Sequence, residues 1–238
     1  MASPDFLNIN SMHLQFLTPL NKWRILDLKN LREEIDYPLH PSGFEKTIRR
    51  LEKAKILGSF RDPWSRRKFV YLSENGEMLV NDSGRKIALS NETFLHDAKV
   101  SEFTKKLLET TFFTDVILEH QIREVGKGEV PDARLTGERK GVAFSMAFEL
   151  EITRKSKDRI KAKINRYLQS DYYDYVLYLF CSKPIWEGYR RFIQEEFGER
   201  GFQKVMLFWN PTILSKKIDP NEGIGYFKSK EVKFDELF

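Results

Sequence analysis

The sequence predicts a mixed α+β, α/β chain in two parts. Residues 1–90 read as helices closed by a basic hairpin, and residues 91–238 as one sheet with helical crossovers. Three observations carry this. First, three helical segments precede residue 57 and give way to two short strands. Second, residues 142–153 alternate as a strand. Val142, Phe144, Met146, Phe148, Leu150 and Ile152 line one face, and Ala143, Ser145, Ala147, Glu149, Glu151 and Thr153 line the other. Third, two wholly apolar runs, Tyr175–Phe180 and Val205–Trp209, each follow a helical segment, as buried parallel strands do.

Composition bounds the chemistry. Hydrophobic residues make up 41% of the 238, enough for a real core, and a net charge of +5 favours a polyanionic partner. The single cysteine, Cys181, excludes an internal disulfide and a cysteine-rich zinc site. His13, His40, His96 and His120 lack metal-ligand spacing, and there is no phosphate-binding glycine loop. Without a basic start or a long apolar run, the N-terminus does not read as a signal peptide, and no stretch is apolar enough to span a membrane. The expected setting is cytoplasmic.

In chain order, Phe16 opens an apolar segment that continues to Trp23 and Ile25. Asp27 can cap a helix over residues 28–35, with Leu28, Leu31 and Ile35 inward. Pro38 and Pro41 break it. Ser42-Gly43-Phe44-Glu45 then reads as a capping box for a helix to about Ile56, striped by Phe44, Ile48 and Leu51. Residues 57–61 and 66–72 form a hairpin around Asp62-Pro63-Trp64-Ser65. Between Pro41 and Val70, nine bases face three acids, a net of +6 against +5 for the whole chain. The basicity is therefore concentrated there.

Three helices leading into a hairpin, with Leu51 to Leu57 before it and Tyr71-Leu72-Ser73-Glu74-Asn75-Gly76 after it, resemble a winged helix-turn-helix. The resemblance implies contact with double-stranded DNA through Ser42, Lys46, Arg49, Arg50 and Lys53 on the helix and Arg66, Arg67 and Lys68 on the wing.

Asn81 to Lys86 is polar and turn-rich, the expected linker. Residues 94–113 follow as a helix, then short segments at 117–125 and 130–135, a hairpin loop at 136–141 and the strand 142–153. A basic helix over 157–167, the strand 175–180, a helix from Pro184 and the strand 205–209 complete the order α-β-β-β-α-β-α-β. From Lys216 onward no element is predicted.

That strand ends in paired carboxylates, with a third acid upstream at Asp132. Hard divalent cations want converging oxygen ligands at about 2 Å, and a cation offsets the crowding of like charges. Pro131-Asp132, then Glu149-Leu150-Glu151, then a basic helix resemble the PD-(D/E)XK nuclease-like αβββαβ core. With the N-terminal winged helix and the Lys163–Tyr167 pair, the layout resembles the replication-relaxation family, which includes MobC-type plasmid relaxases. The resemblance implies Mg²⁺ or Mn²⁺ held by Asp132, Glu149 and Glu151, and an origin-like duplex as substrate. It also implies partners among relaxosome or other mobile-element proteins.

One departure stands out: Glu151 occupies the position where the nuclease motif has lysine. Lys163 or Lys155 would then supply the catalytic cation. Tyr167 is a candidate nucleophile, since relaxases of other folds use tyrosine. Three functions follow: a metal-dependent DNA nickase of mobilisation, a non-catalytic DNA-binding regulator of replication or transcription, and a transposon or defence-system nuclease.

Overall fold

The structure is a computed structural model that describes residues 11–37, 40–80, 93–122 and 130–237. The expected linker at 81–86 lies outside the described residues. The chain divides into two compact units, Met1–Ser101 and Glu102–Phe238.

The first unit runs α1 (Ser11–Trp23), β1 (Ile25–Asp27), α2 (Leu28–Glu34), α3 (Pro41–Lys53), β2 (Leu57–Arg61), β3 (Lys68–Leu72) and α4 (Glu74–Val80). Its three strands form an antiparallel sheet in the order β1-β3-β2, with Asp27 opposite Phe69 and Arg61 opposite Lys68. Phe16, Leu17, Leu20, Leu31, Phe44, Ile48, Leu51 and Val70 are buried as its core. Phe16 stacks on Phe44 at 5.5 Å. Asp27 caps α2 as expected, its Oδ1 accepting from the Asn30 amide at 2.7 Å. The short strand β1 was not expected.

Helix α3 starts two residues earlier than the capping box would place it. Pro41 fits the first helical position because its φ is preset and the amide it lacks has no helical partner there. The His40 ring, not Ser42, accepts the orphan amide, that of Ser42, at 3.3 Å. Glu45 turns instead to Arg49, one turn on, at 3.1 Å. The run after the hairpin has its own logic. The Ser73 hydroxyl donates to the Ile56 carbonyl and accepts from the Gly76 amide at the start of α4. A Cβ on Gly76 would sit 2.2 Å from the Ile56 carbonyl oxygen, so only glycine allows this approach.

Helix α5 (Phe94–Leu108) carries residues of both units. It ends five residues short of the expected boundary, because Phe113 begins a strand. The second unit then runs β4 (Phe113–Leu118), β5 (Ala133–Arg139), β6 (Val142–Glu151), α6 (Lys157–Gln169), β7 (Tyr175–Phe180), α7 (Lys183–Phe197), β8 (Val205–Trp209), β9 (Ile224–Phe227), β10 (Lys230–Val232) and α8 (Phe234–Leu237). Among the described residues the sheet has seven strands, ordered β10-β9-β8-β7-β6-β5-β4. An antiparallel meander, β4-β5-β6, joins the parallel strands β6-β7-β8 through α6 and α7. Strands β9 and β10 add antiparallel pairs at the far side, in the tail that had no predicted element.

Strand β5 lies three residues later than expected, and the hairpin loop shrinks from 136–141 to Lys140-Gly141, at φ 52° and 78°. Gly137 therefore belongs to the strand, where a Cβ would meet the Phe112 carbonyl oxygen at 2.2 Å. Strand β6 stops at Glu151.

Both sheet faces are packed. On one, Ala147, Val176, Tyr178, Phe180, Val205 and Leu207 lie under Ile160, Ile164 and Tyr167 of α6 and Trp186, Tyr189 and Ile193 of α7. On the other, Met146, Phe148, Leu150, Leu177 and Phe208 are buried, with Phe103 stacked on Phe148. Among the described residues, no helix is long and apolar enough to cross a membrane.

Candidate functional site

The acids of the second unit meet where β5 enters the sheet and β6 leaves it. Asp132 precedes β5, and its backbone carbonyl accepts from the Glu119 amide at 2.9 Å. Its side chain turns across to β6, where Oδ2 accepts from the Leu150 amide at 2.7 Å. The ladder pairs Ala133 with Phe148, so Asp132 stands next to Glu149. By strand alternation Glu149 and Glu151 share the face that α6 and α7 cover, and both are buried.

Helix α6 supplies the partners. Ile160, Ile164 and Tyr167 are buried along its inner side, and Lys163 lies between them at the margin. Lys163 Nζ reaches Glu149 Oε2 at 2.6 Å, and the Tyr167 hydroxyl donates to Glu149 Oε1. Both Glu149 oxygens are thus engaged. Lys155 Nζ stands 4.0 Å from Glu151 Oε2. Asp132, Glu149, Glu151, Lys163, Lys155 and Tyr167 form one constellation. Arg159, on the same helix, is exposed, and Tyr167 is fully buried.

The electrostatics follow from burial. Glu149 is pushed from an ordinary 4.5 to about 8, first by burial and next by the Asp132 charge, against the pull of Lys163 and Tyr167. Burial also raises Glu151, and Lys155 and Lys163 oppose it. Burial and then the Glu151 charge push the Tyr189 phenol up, which sets Tyr189 beside that carboxylate.

Among the described residues, no three His, Cys, Asp or Glu side chains are grouped as metal ligands. The donor chemistry nevertheless fits a small hard cation. Mg²⁺ is commonly held by one or two carboxylates, with water and substrate phosphates completing the shell. Asp132 and Glu149 could supply two such carboxylates, since the Asp132 charge already acts on Glu149.

Two neighbours carried no sequence signal of their own. Arg134 pairs with Ala147 in the ladder, which puts it on the Glu149 face, and its charge acts on Tyr173. Tyr189 arrives from α7. Only the strand register and the helix packing bring either one here.

In the first unit, α3 buries Phe44, Ile48 and Leu51 and leaves Ser42, Lys46, Arg49, Arg50 and Lys53 exposed. On the hairpin the bases divide. Arg66 is exposed at the tip. Arg67 Nη1 lies 2.7 Å from Asp27 Oδ2, and Lys68 Nζ 2.7 Å from Glu52 Oε1. Arg67 and Lys68 are therefore tied into ion pairs within the unit.

No family model matches the chain. No curated protein matches it either. A solved structure, the restriction endonuclease FokI bound to DNA, is similar over 87% of this chain and 45% of that one, at 10% identity with a TM-score of 0.31. The chain spans less than half of that protein's length, and a superposition this loose does not assign a fold.

Proposed function

We propose that the chain is a metal-dependent DNA-nicking protein, with residues 1–90 as a winged helix on duplex DNA and residues 91–238 as a PD-(D/E)XK nuclease-like domain. The observation that carries the reading is the contact of Lys163 with Glu149 at 2.6 Å beside Asp132. The motif's lysine is replaced by Glu151 on the strand, and a lysine from the next helix arrives at the strand acid instead. Supporting the DNA-binding half are the element order α1-β1-α2-α3-β2-β3 and an outer face of α3 whose exposed residues are mostly basic. The finer reading is a relaxase of plasmid mobilisation or of another mobile element, acting on an origin-like site with its relaxosome proteins.

Asp132 and Glu149 would hold Mg²⁺ or Mn²⁺, with Glu151 beside them. When bound, the cation supplies charge stabilisation at the phosphoryl oxygens. Lys163, partly exposed at the margin, places a positive charge where a phosphate approaches the acids. The Leu150 amide orients Asp132, and Tyr167 orients Glu149. Because the Tyr167 side chain is buried and spent on Glu149, attack by water fits better than attack by tyrosine.

The test is nicking of supercoiled plasmid carrying the element's own origin, with Mg²⁺ or Mn²⁺, beside calorimetric titration of Mn²⁺. Glu149→Gln should abolish nicking and leave duplex binding intact. Lys163→Ala should slow nicking ~100-fold, the scale of one lost electrostatic stabiliser. A second reading, a DNA-binding regulator without catalysis, is favoured by Glu151 in the lysine position and by the full engagement of both Glu149 oxygens. Wild-type protein that binds DNA but never nicks it with either metal selects that reading.

A further inference from the structure

The hairpin between β2 and β3 ends in an exposed tryptophan. Trp64 is 58% exposed, although tryptophan is a side chain that folding usually covers. A single exposed apolar residue needs no explanation by itself. The frame beneath this one does.

Asp62 and Lys99 are both fully buried, with Lys99 Nζ 3.6 Å from Asp62 Oδ2. A buried ion pair adds little net stability, since desolvation consumes most of its attraction. Here it fixes a shape. Asp62 Oδ1 accepts from the Trp64 amide at 3.0 Å, and Oδ2 accepts from the Ser65 hydroxyl at 2.5 Å. Burial works against the Asp62 charge, but the Ser65 and Trp64 donors and Lys99 outweigh it and hold Asp62 below its ordinary value. The Arg66 amide donates to the Asp62 carbonyl at 2.9 Å, and Arg66 sits at φ 60°, a conformation that side chains other than glycine rarely adopt. Arg61 Nη1 closes the turn on the Arg66 carbonyl at 3.2 Å. Two buried charges and a left-handed arginine are spent on a tip of four residues that points its indole outward.

Exposed bases flank the indole: Arg61 before it and Arg66 after it. An exposed aromatic ring on a tip that also carries exposed cations matches a nucleic-acid strand, whose phosphates would meet the guanidinium groups while a base stacks on the ring. A base inside an intact duplex must first be unstacked, whereas an unpaired base is already available.

We propose that Trp64 is a stacking platform for an unpaired base next to the duplex, so that the hairpin reads melted or forked DNA while α3 meets the paired stretch. This rests on the DNA-binding reading above and adds the class of DNA structure preferred.

The experiment compares three probes at low salt: a fully paired duplex, the same duplex with one unpaired base, and the corresponding single strand. Binding is followed by anisotropy with wild type, Trp64→Ala and Trp64→Phe. Wild type should prefer the duplex with the unpaired base by ~10-fold, the scale of one aromatic–base stack. Trp64→Ala should lose that preference while binding the paired duplex as wild type does, and Trp64→Phe should retain part of it. Since Trp64 is exposed, neither variant should alter the thermal transition. If wild type binds all three probes alike, or if Trp64→Ala keeps the preference, the platform is refuted and the DNA-binding reading stands. If wild type binds none of them, both fall together.

Discussion

Glu149 is held between opposing forces. Burial and the Asp132 charge oppose its ionisation, while Lys163 and Tyr167 favour it, and the balance leaves its pKa near 8 rather than 4.5. A carboxyl raised on folding costs nothing below pH 4.5, where it is protonated in both states. Its cost grows between pH 4.5 and about 8 and is fully present above that. Glu149→Gln should therefore raise the thermal midpoint most at pH 8 and above, and leave it unchanged near pH 4. Thermal scans across that range check the sign. On the proposed reading, Mn²⁺ binding by wild type should tighten over the same window as the proton leaves. Asp132 separates charge from hydrogen bonding. Asp132→Asn keeps an acceptor for the Leu150 amide, whereas Asp132→Ala removes that acceptor. Asn should preserve or raise stability, and Ala should lower it by about 1–3 kcal/mol, read from denaturant midpoints. Equal stability of the two variants would show that the amide bond does not matter. The residues of this site are visible in the sequence as a strand ending in acids and a helix carrying Lys163 and Tyr167 one turn apart. That Tyr167 turns inward to Glu149 is a property of packing, as are Arg134 and Tyr189, which lie far from the motif in sequence or across the ladder.

At the scale of elements, the hairpin shows where counting charges misleads. The sequence treats its bases alike, but Arg67 answers Asp27, which also caps α2. The side chain of Asp27 is only 5% exposed, so removing Arg67 leaves a nearly buried carboxylate without this counter-charge, though still hydrogen-bonded to the Asn30 amide. Arg67→Ala should lower stability by about 1–3 kcal/mol and, on the proposed DNA-binding reading, barely change the salt dependence of binding. Arg49→Ala with Arg50→Ala should do the reverse: the fold stays intact, affinity falls, and the salt slope drops by about two. Thermal melts and anisotropy at several salt concentrations distinguish the two. Long periodic elements were legible: α3, α6, α7, β6, β7 and β8 fall close to their expected places. The ends were less so. Pro41 moved one helix start, and the tight turn at Lys140-Gly141 lengthened β5 to include Gly137. Glycine there looked like a loop residue, because a sequence does not display the carbonyl oxygen that crowds it.

Across the whole molecule, the net charge of +6 between Pro41 and Val70 leaves the rest of the chain near neutral. That separation was readable directly. The tail was not, since its strands are three and four residues long and acquire meaning only against a neighbour. Their neighbour is β8, whose five residues, Val-Met-Leu-Phe-Trp, carry no charge and no proline. Without β9, this strand would be a bare edge of the kind that recruits a second copy of itself. Strand β10, by contrast, turns outward with Lys230 and Glu231 exposed and ends after three residues. Strand β9 thus covers an edge that would otherwise be open to pairing. Deleting residues 221–238 should drive concentration-dependent aggregation, seen as early elution in size-exclusion chromatography, and Trp209→Lys in the shortened chain, at the one residue of β8 that is not fully buried, should reduce it by placing a charge on the strand. A shortened chain that elutes like the full one would mean that β8 is protected by something other than the strand beside it.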